Sequence, residues 1–324
     1  MNRTALSTTL RNSWFILLAV VLCCPGCRSL RSVRQTRELS AARQRSLRGA
    51  DALQQQKFDE AEALFADALR RSPADERAQW GMAEVLWQRD QHETAIEHME
   101  QAAQISGENP ELLVRLGDMH LQEGRLDDAL RYADQALLGD RQHGDAWALR
   151  GRVLRRRQEL NEAMQCYHRA LICRPNFPAA QMELSEVYCE LRRPQRALAT
   201  LDRMVDAQTD GEVPARAWML RGQALADLGQ RKDAQDCLRH AALCANDEES
   251  PLLIELAQTQ FELGHLAEAR LCLGRAMQRD PHNAQALAIQ AELDRRFDSY
   301  ANQNRIEPAI SAQPAGWARP PMPQ

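Results

Sequence analysis

The sequence predicts an all-α fold built by repetition, on three observations: its composition, a recurring spacing of small residues, and helix stops that recur with that spacing. The chain has 324 residues, 44% of them hydrophobic but only 5% aromatic. That supply suits many thin layers better than one large globular core. Ala, Leu, Gln, Glu and Arg, all good helix formers, dominate, while Val, Ile, Thr and Tyr are sparse. The formal net charge is −4, whereas nucleic-acid binding needs concentrated basic surface, so no nucleic-acid partner is expected. Of the 41 basic residues only Lys57 and Lys232 are lysine, a skew from which no function follows.

The N-terminus reads as an export or anchoring signal. Arg3 and Arg11 precede an unbroken apolar run from Trp14 to Cys24, followed by Pro25, Gly26 and Cys27. The run is too short for a hydrocarbon core that takes roughly 20 apolar residues to span, and it fits the apolar part of a signal peptide. Its end, Cys24-Pro25-Gly26-Cys27, resembles a bacterial lipobox, although the family pattern has Leu and a small residue where Cys24 and Pro25 stand. The resemblance implies lipid attachment at Cys27. Arg28, Arg31, Arg34, Arg37, Arg43, Arg45 and Arg48 follow, against the single acid Glu38. Basic residues resist translocation, which keeps two alternatives open, an uncleaved anchor with a cytoplasmic body and a cleaved signal without lipid. Residues 28–41 are read as a basic linker or helix extension.

The repeat has a period of 34 residues. Ala61, Ala95, Ala129, Ala163 and Ala197 follow one another at that interval, and Ala234 and Ala269 continue the series. Seven residues further on stand Ala68, Ala102, Ala136, Ala170, Met204, Ala241 and Ala276, and twelve residues upstream Gly49, Ala83, Gly117, Gly151, Ser185, Gly222 and Ala257. Helices that approach closely need small residues where their backbones meet, so the two kinds of column belong on facing helices of a pair. Between them Phe65, Met99, Tyr167, Leu201, Leu238 and Leu273 fill the gaps, with Ala133 undersized. Pro73, Pro175 and Pro281 stop second helices where a turn is required.

These columns, with Trp147 and Trp218 near the starts of their first helices, resemble the tetratricopeptide repeat family over residues 42–283. The resemblance implies a right-handed α-solenoid superhelix of seven helical hairpins, 42–75, 76–109, 110–143, 144–177, 178–211, 215–248 and 250–283. Such pairs bury their apolar faces only by stacking, so the array needs a cap with one polar face, and residues 284–297 are expected to supply it as a helix. The Asn-, Gln- and Pro-rich residues 298–324 are expected to be a disordered tail.

Catalytic motifs are absent: the chain has no Gly-rich phosphate loop, no GxSxG elbow and no HExxH helix. No enzyme activity, cofactor, metal or small-molecule substrate is expected. Cys166, Cys237 and Cys272 occupy equivalent repeat positions and read as small apolar fillers. Cys237, His240 and Cys244 share one helix face, but no further ligand with tight CxxC spacing accompanies them.

In the tetratricopeptide family the first helices line a concave surface that binds protein or peptide. Carried onto this chain, those positions are Trp80, Glu84, Trp87, Asp118, Leu121, Arg152, Arg155, Arg156, Met182, Met219 and Phe261. The Lys/Asn/Arg carboxylate clamp of some relatives is replaced by Ser46, Ala50 and Gly81. The expected function is a non-catalytic interaction scaffold in the bacterial envelope, lipid-anchored and facing the periplasm, that holds a partner segment near Trp80, Trp87 and the arginines. The alternatives are a cytoplasm-facing membrane adaptor and a non-catalytic targeting subunit of an enzyme complex.

Overall fold

The computed structural model describes residues 36–207, 213–246 and 249–310. The signal segment with Cys27, most of the basic linker and the end of the Pro-rich tail lie outside the described residues. Among the described residues there are fifteen helices and no strand, an all-α helical repeat fold. Two compact units divide after Glu159.

The first unit holds α1 (residues 36–54), α2 (Phe58–Arg71), α3 (Glu76–Trp87), α4 (His92–Ile105), α5 (Pro110–Gln122), α6 (Leu126–Gly139) and α7 (Gly144–Arg156). The second holds α8 (Leu160–Cys173), α9 (Pro178–Glu190), α10 (Pro194–Ala207), α11 (Ala215–Asp227), α12 (Arg231–Cys244), α13 (Ser250–Glu262), α14 (Leu266–Arg279) and α15 (Ala284–Ile310). α15 corrects one expectation, because helix continues beyond Phe297 to Ile310 and takes in the start of the segment read as a disordered tail. The added stretch contains neither Gly nor Pro before Pro308.

Local chemistry sets the helix ends. The Asp75 carboxylate accepts from the Ala78 amide at 3.0 Å and starts α3. Asn109 does the same for Glu111 at 3.0 Å, with Pro110 in the first turn of α5, and Asn283 accepts from Gln285 and Ala286 to start α15. Every first helix ends on one residue with positive φ: Gln56, Asp90, Gly124, Gln158, Arg192, Gly229 and Gly264. Glycine takes that conformation freely and stands at three of these turns. At the other four an L side chain is held there by the packing of the hairpin.

The small columns lie in the core. All members of the two alanine series and all the filler residues are buried, as are Gly49, Gly81, Gly117 and Gly222. The Phe65 ring occupies the space next to two glycines: a Cβ on Gly49 would meet it at 2.7 Å and one on Gly81 at 2.2 Å. Where the filler of a second helix shrinks to Ala133, the residue equivalent to Gly81 is Leu149. A Cβ on Gly117 would meet the Leu149 side chain at 2.5 Å, so Leu149 supplies the bulk that Ala133 lacks. In the second unit Gly222 lies against Leu238 and the Ala234 carbonyl in the same manner. Cys166, Cys237 and Cys272 are buried within these layers. Burial pushes the thiols of Cys272 and Cys189 up to about 11 and raises that of Cys237.

This packing separates glycines that are required from one that is not. Gly81→Leu should destabilise the first unit by roughly 1–3 kcal/mol through overpacking against Phe65. Gly274, in α14 with nothing within 4 Å of an added Cβ, should gain up to about 1 kcal/mol as Gly274→Ala through helix propensity. Thermal melts followed by circular dichroism check both signs.

Candidate partner-binding surface

In the first unit the first-helix residues α3, α5 and α7 are joined by charge. Trp80 and Glu84 lie one turn apart on α3, and the indole N–H of Trp80 donates to Glu84 Oε1 at 3.1 Å. Arg115 on α5 donates from Nε and Nη2 to the two oxygens of Glu84, each at 2.7 Å, a bidentate pair of fixed geometry. Burial opposes the Arg115 charge, but the hydrogen bond and charge of Glu84, helped by Asp118, raise its pKa overall. The next link joins Asp118 on α5 to Arg152 on α7 at 2.8 Å. Burial is the largest influence on Asp118 and raises its carboxyl pKa against the pull of Arg152 and Arg115.

The second unit uses the same device. Arg216 on α11 reaches Glu186 on α9 at 2.6 Å and Glu255 on α13 at 3.2 Å, and Gln223 on α11 donates to Thr259 on α13 at 3.1 Å.

Of the positions carried over from the family, several belong to the core. Met219 is wholly buried, and Leu121 and Trp87 are nearly so. They correct the expected lining, because a side chain packed between helices offers no contact to a partner. Trp87 is covered by stacking on His92, ring centres 4.3 Å apart. Met182 is half-buried against Leu201 and Met204, and Phe261 is half-buried with the Arg296 guanidinium 4.1 Å from its ring centre. Glu84, Asp118 and Arg152 are taken up by the charge pairs, Arg155 is half-buried, and Arg156 is exposed. Trp80, 39% exposed, is the large aromatic on offer. Sequence reasoning missed Arg115 and Arg216, although each follows an acid of the preceding first helix by about one repeat.

Cys237, His240 and Cys244 do not assemble a site. Among the described residues no three His, Cys, Asp or Glu side chains are placed to hold a metal ion. His240 instead stacks on Trp218 at 4.5 Å and contacts the Cys244 sulfur through Nδ1 at 3.3 Å.

Helical hairpins stacked on small-residue columns, with first helices tied by charge pairs, define a helical-repeat protein of the interaction-scaffold class. The chain belongs to the tetratricopeptide repeat family: profiles of that repeat match residues 47–110, 86–153, 154–224 and 215–243. Among solved structures, a tetratricopeptide repeat protein from Parabacteroides merdae superposes with TM-score 0.62 at 13% identity, over 79% of this chain and 98% of that one. PilF of Pseudomonas aeruginosa gives 0.55 at 16% identity, over 79% and 99%. PilW, a type IV pilus biogenesis factor, gives 0.56 at 20% identity, over 61% and 91%. At such identities the likeness is one of fold. No curated protein matches the sequence.

Three histidines give the units a pH dependence. His120 is 4% exposed, stacks on Tyr132 and has neither ring nitrogen hydrogen-bonded. Burial lowers its pKa, with smaller opposing effects from Asp128 and Glu100 and supporting ones from Arg125 and Arg131. His98 and His168 are likewise lowered by burial. The unfolded chain therefore takes up protons first as pH falls through about 6.5, and stability drops below that value. The melting temperature should fall between pH 7.5 and 5.5, and His120→Phe should reduce the fall.

Proposed function

We propose that this protein is a non-catalytic adaptor of the cell envelope that holds a segment of a protein partner against the first-helix face of its N-terminal unit. The observation that carries the reading is Trp80: an exposed indole whose N–H is fixed by Glu84, itself clamped by Arg115. An exposed tryptophan on an immobilised base loses little side-chain entropy on contact, and Trp and Arg dominate the energetics of interfaces. Arg156, exposed on the same row of helices, offers a charge to an acidic group of that segment. The envelope setting rests on the short apolar run from Trp14 to Cys24 and the Gly26-Cys27 that follows it.

A second reading, a membrane adaptor whose body faces the cytoplasm, draws on the arginines that follow Cys27 and on the exposed free thiol of Cys244. A topology reporter fused after Gln324 separates the two.

Trp80→Ala should weaken the complex with a partner recovered from the native host by about thirtyfold, as an interface hot spot worth about 2 kcal/mol does. Arg156→Glu should weaken it further, with both variants keeping wild-type melts. Wild-type affinity in both would place the partner on another surface. Membrane attachment is read separately: a palmitate analogue should label the wild type, and Cys27→Ser should lose the label and move to the soluble fraction. A label that persists in Cys27→Ser would reject the site.

A further inference from the structure

Two second helices of the first unit, α4 and α6, present a different chemistry from the first helices. α4 carries Glu93, Glu97 and Glu100 and neither lysine nor arginine. α6 carries Asp127, Asp128 and Asp134 with the single base Arg131. Most acids of this face are neutralised locally: Glu93 pairs with Arg125, Asp127 with Arg157, Asp128 with Arg131 and Asp134 with Arg150. Glu97, Glu100 and Glu108 differ, since among the described residues no lysine or arginine pairs with them.

These three glutamates surround one cleft. It has a volume of about 410 Å³ and lies between α4 and α6 over α5, within the range of about 300–1,000 Å³ usual for binding pockets. Its floor is apolar, formed by Leu113, Leu116 and Ala103. One wall is the ring of Tyr132, whose hydroxyl donates to Glu100 at 3.0 Å. Ile105 and Leu138, 40% and 79% exposed, stand on the same two helices.

We propose that this cleft is a second docking surface, for a basic amphipathic segment of a partner protein. An arginine or lysine of the segment enters the cleft, its aliphatic stem on Leu113 and Leu116, its cation among Glu97, Glu100 and Glu108. Leucine-like side chains of the same segment cover Ile105 and Leu138. Two independent features set this chemistry. The unneutralised carboxylates ask for a cation, and the apolar floor asks for a cation on a long hydrocarbon stem, which excludes a hydrated metal ion. The surface differs from the first-helix face around Trp80, so one protein has two places for partners.

The test uses the full chain and a fluorescein-labelled synthetic peptide with arginines and leucines on one helical face, read by fluorescence anisotropy at fixed ionic strength. Glu97→Gln with Glu100→Gln and Glu108→Gln should weaken binding about tenfold or more. The charge-matched control Asp51→Asn with Glu60→Gln and Glu159→Gln, all exposed, should bind like wild type, and so should Trp80→Ala. Peptides with the arginines changed to glutamate or the leucines to glutamine should lose affinity. Circular dichroism melts confirm that each variant keeps the wild-type fold. Equal weakening by both triple variants would reduce the effect to undirected attraction and overturn the proposal. No binding by the parent peptide, undiminished binding of the leucine-free peptide, or loss on Trp80→Ala alone would overturn it too. That last outcome would place the peptide on the first-helix face and leave the adaptor reading standing.

Discussion

The structure depends on how closely neighbouring helices approach, and that approach is set by single side chains. The Phe65 ring lies where a Cβ on either Gly49 or Gly81 would have to go, so one large residue on a second helix requires two vanishing ones on the first helices beside it. Ala133 shows the same rule inverted, with the missing bulk returned by Leu149. At these two joints the bulk moves from one helix to another while the joint stays filled, as close packing demands. Each hairpin is too small to bury its faces alone, so every other feature of the two units, including their surfaces, inherits its position from these joints.

Charge pairs form the second layer of order. Glu84 with Arg115, Asp118 with Arg152, and Arg216 with Glu186 and Glu255 each connect one first helix to the next. Partly exposed pairs contribute little net stability. Their effect is on geometry: they fix the direction of side chains on a surface that would otherwise be soft, and they leave Trp80 held but uncovered. Arginines neutralise most of the acids of α4 and α6, and it is against that background that Glu97, Glu100 and Glu108 stand out around an apolar floor.

Much of this was legible in the sequence because the constraint is periodic. A joint that needs a small residue needs it once per repeat, so the alanine and glycine columns announce helix pairing, hairpin order and core together. The surface was less legible. Trp80 and Trp87 both sit at positions that relatives use for binding, yet only Trp80 is open; Trp87 is closed by His92 from the following helix. Met219 and Leu121 were misplaced for the same reason, since neighbouring faces of a helix are about 100° apart for each residue and spacing alone does not say which neighbour covers which face. The left-handed turn residues were hidden too, because Gln56, Asp90, Gln158 and Arg192 carry none of the glycine signal that marks Gly124, Gly229 and Gly264.

By itself, then, the sequence determined the helical class, the period, the family and the identity of the buried columns, all consequences of short-range geometry repeated many times. Only the tertiary structure decided which polar and aromatic residues remain available: that Arg115 is spent on Glu84, that Arg152 is spent on Asp118, and that Tyr132 of α6 closes a cleft beside Glu97 and Glu100 of α4. Those outcomes depend on contacts between residues about one repeat or more apart, whose partners are chosen by the packing of helices and not by their order in the chain.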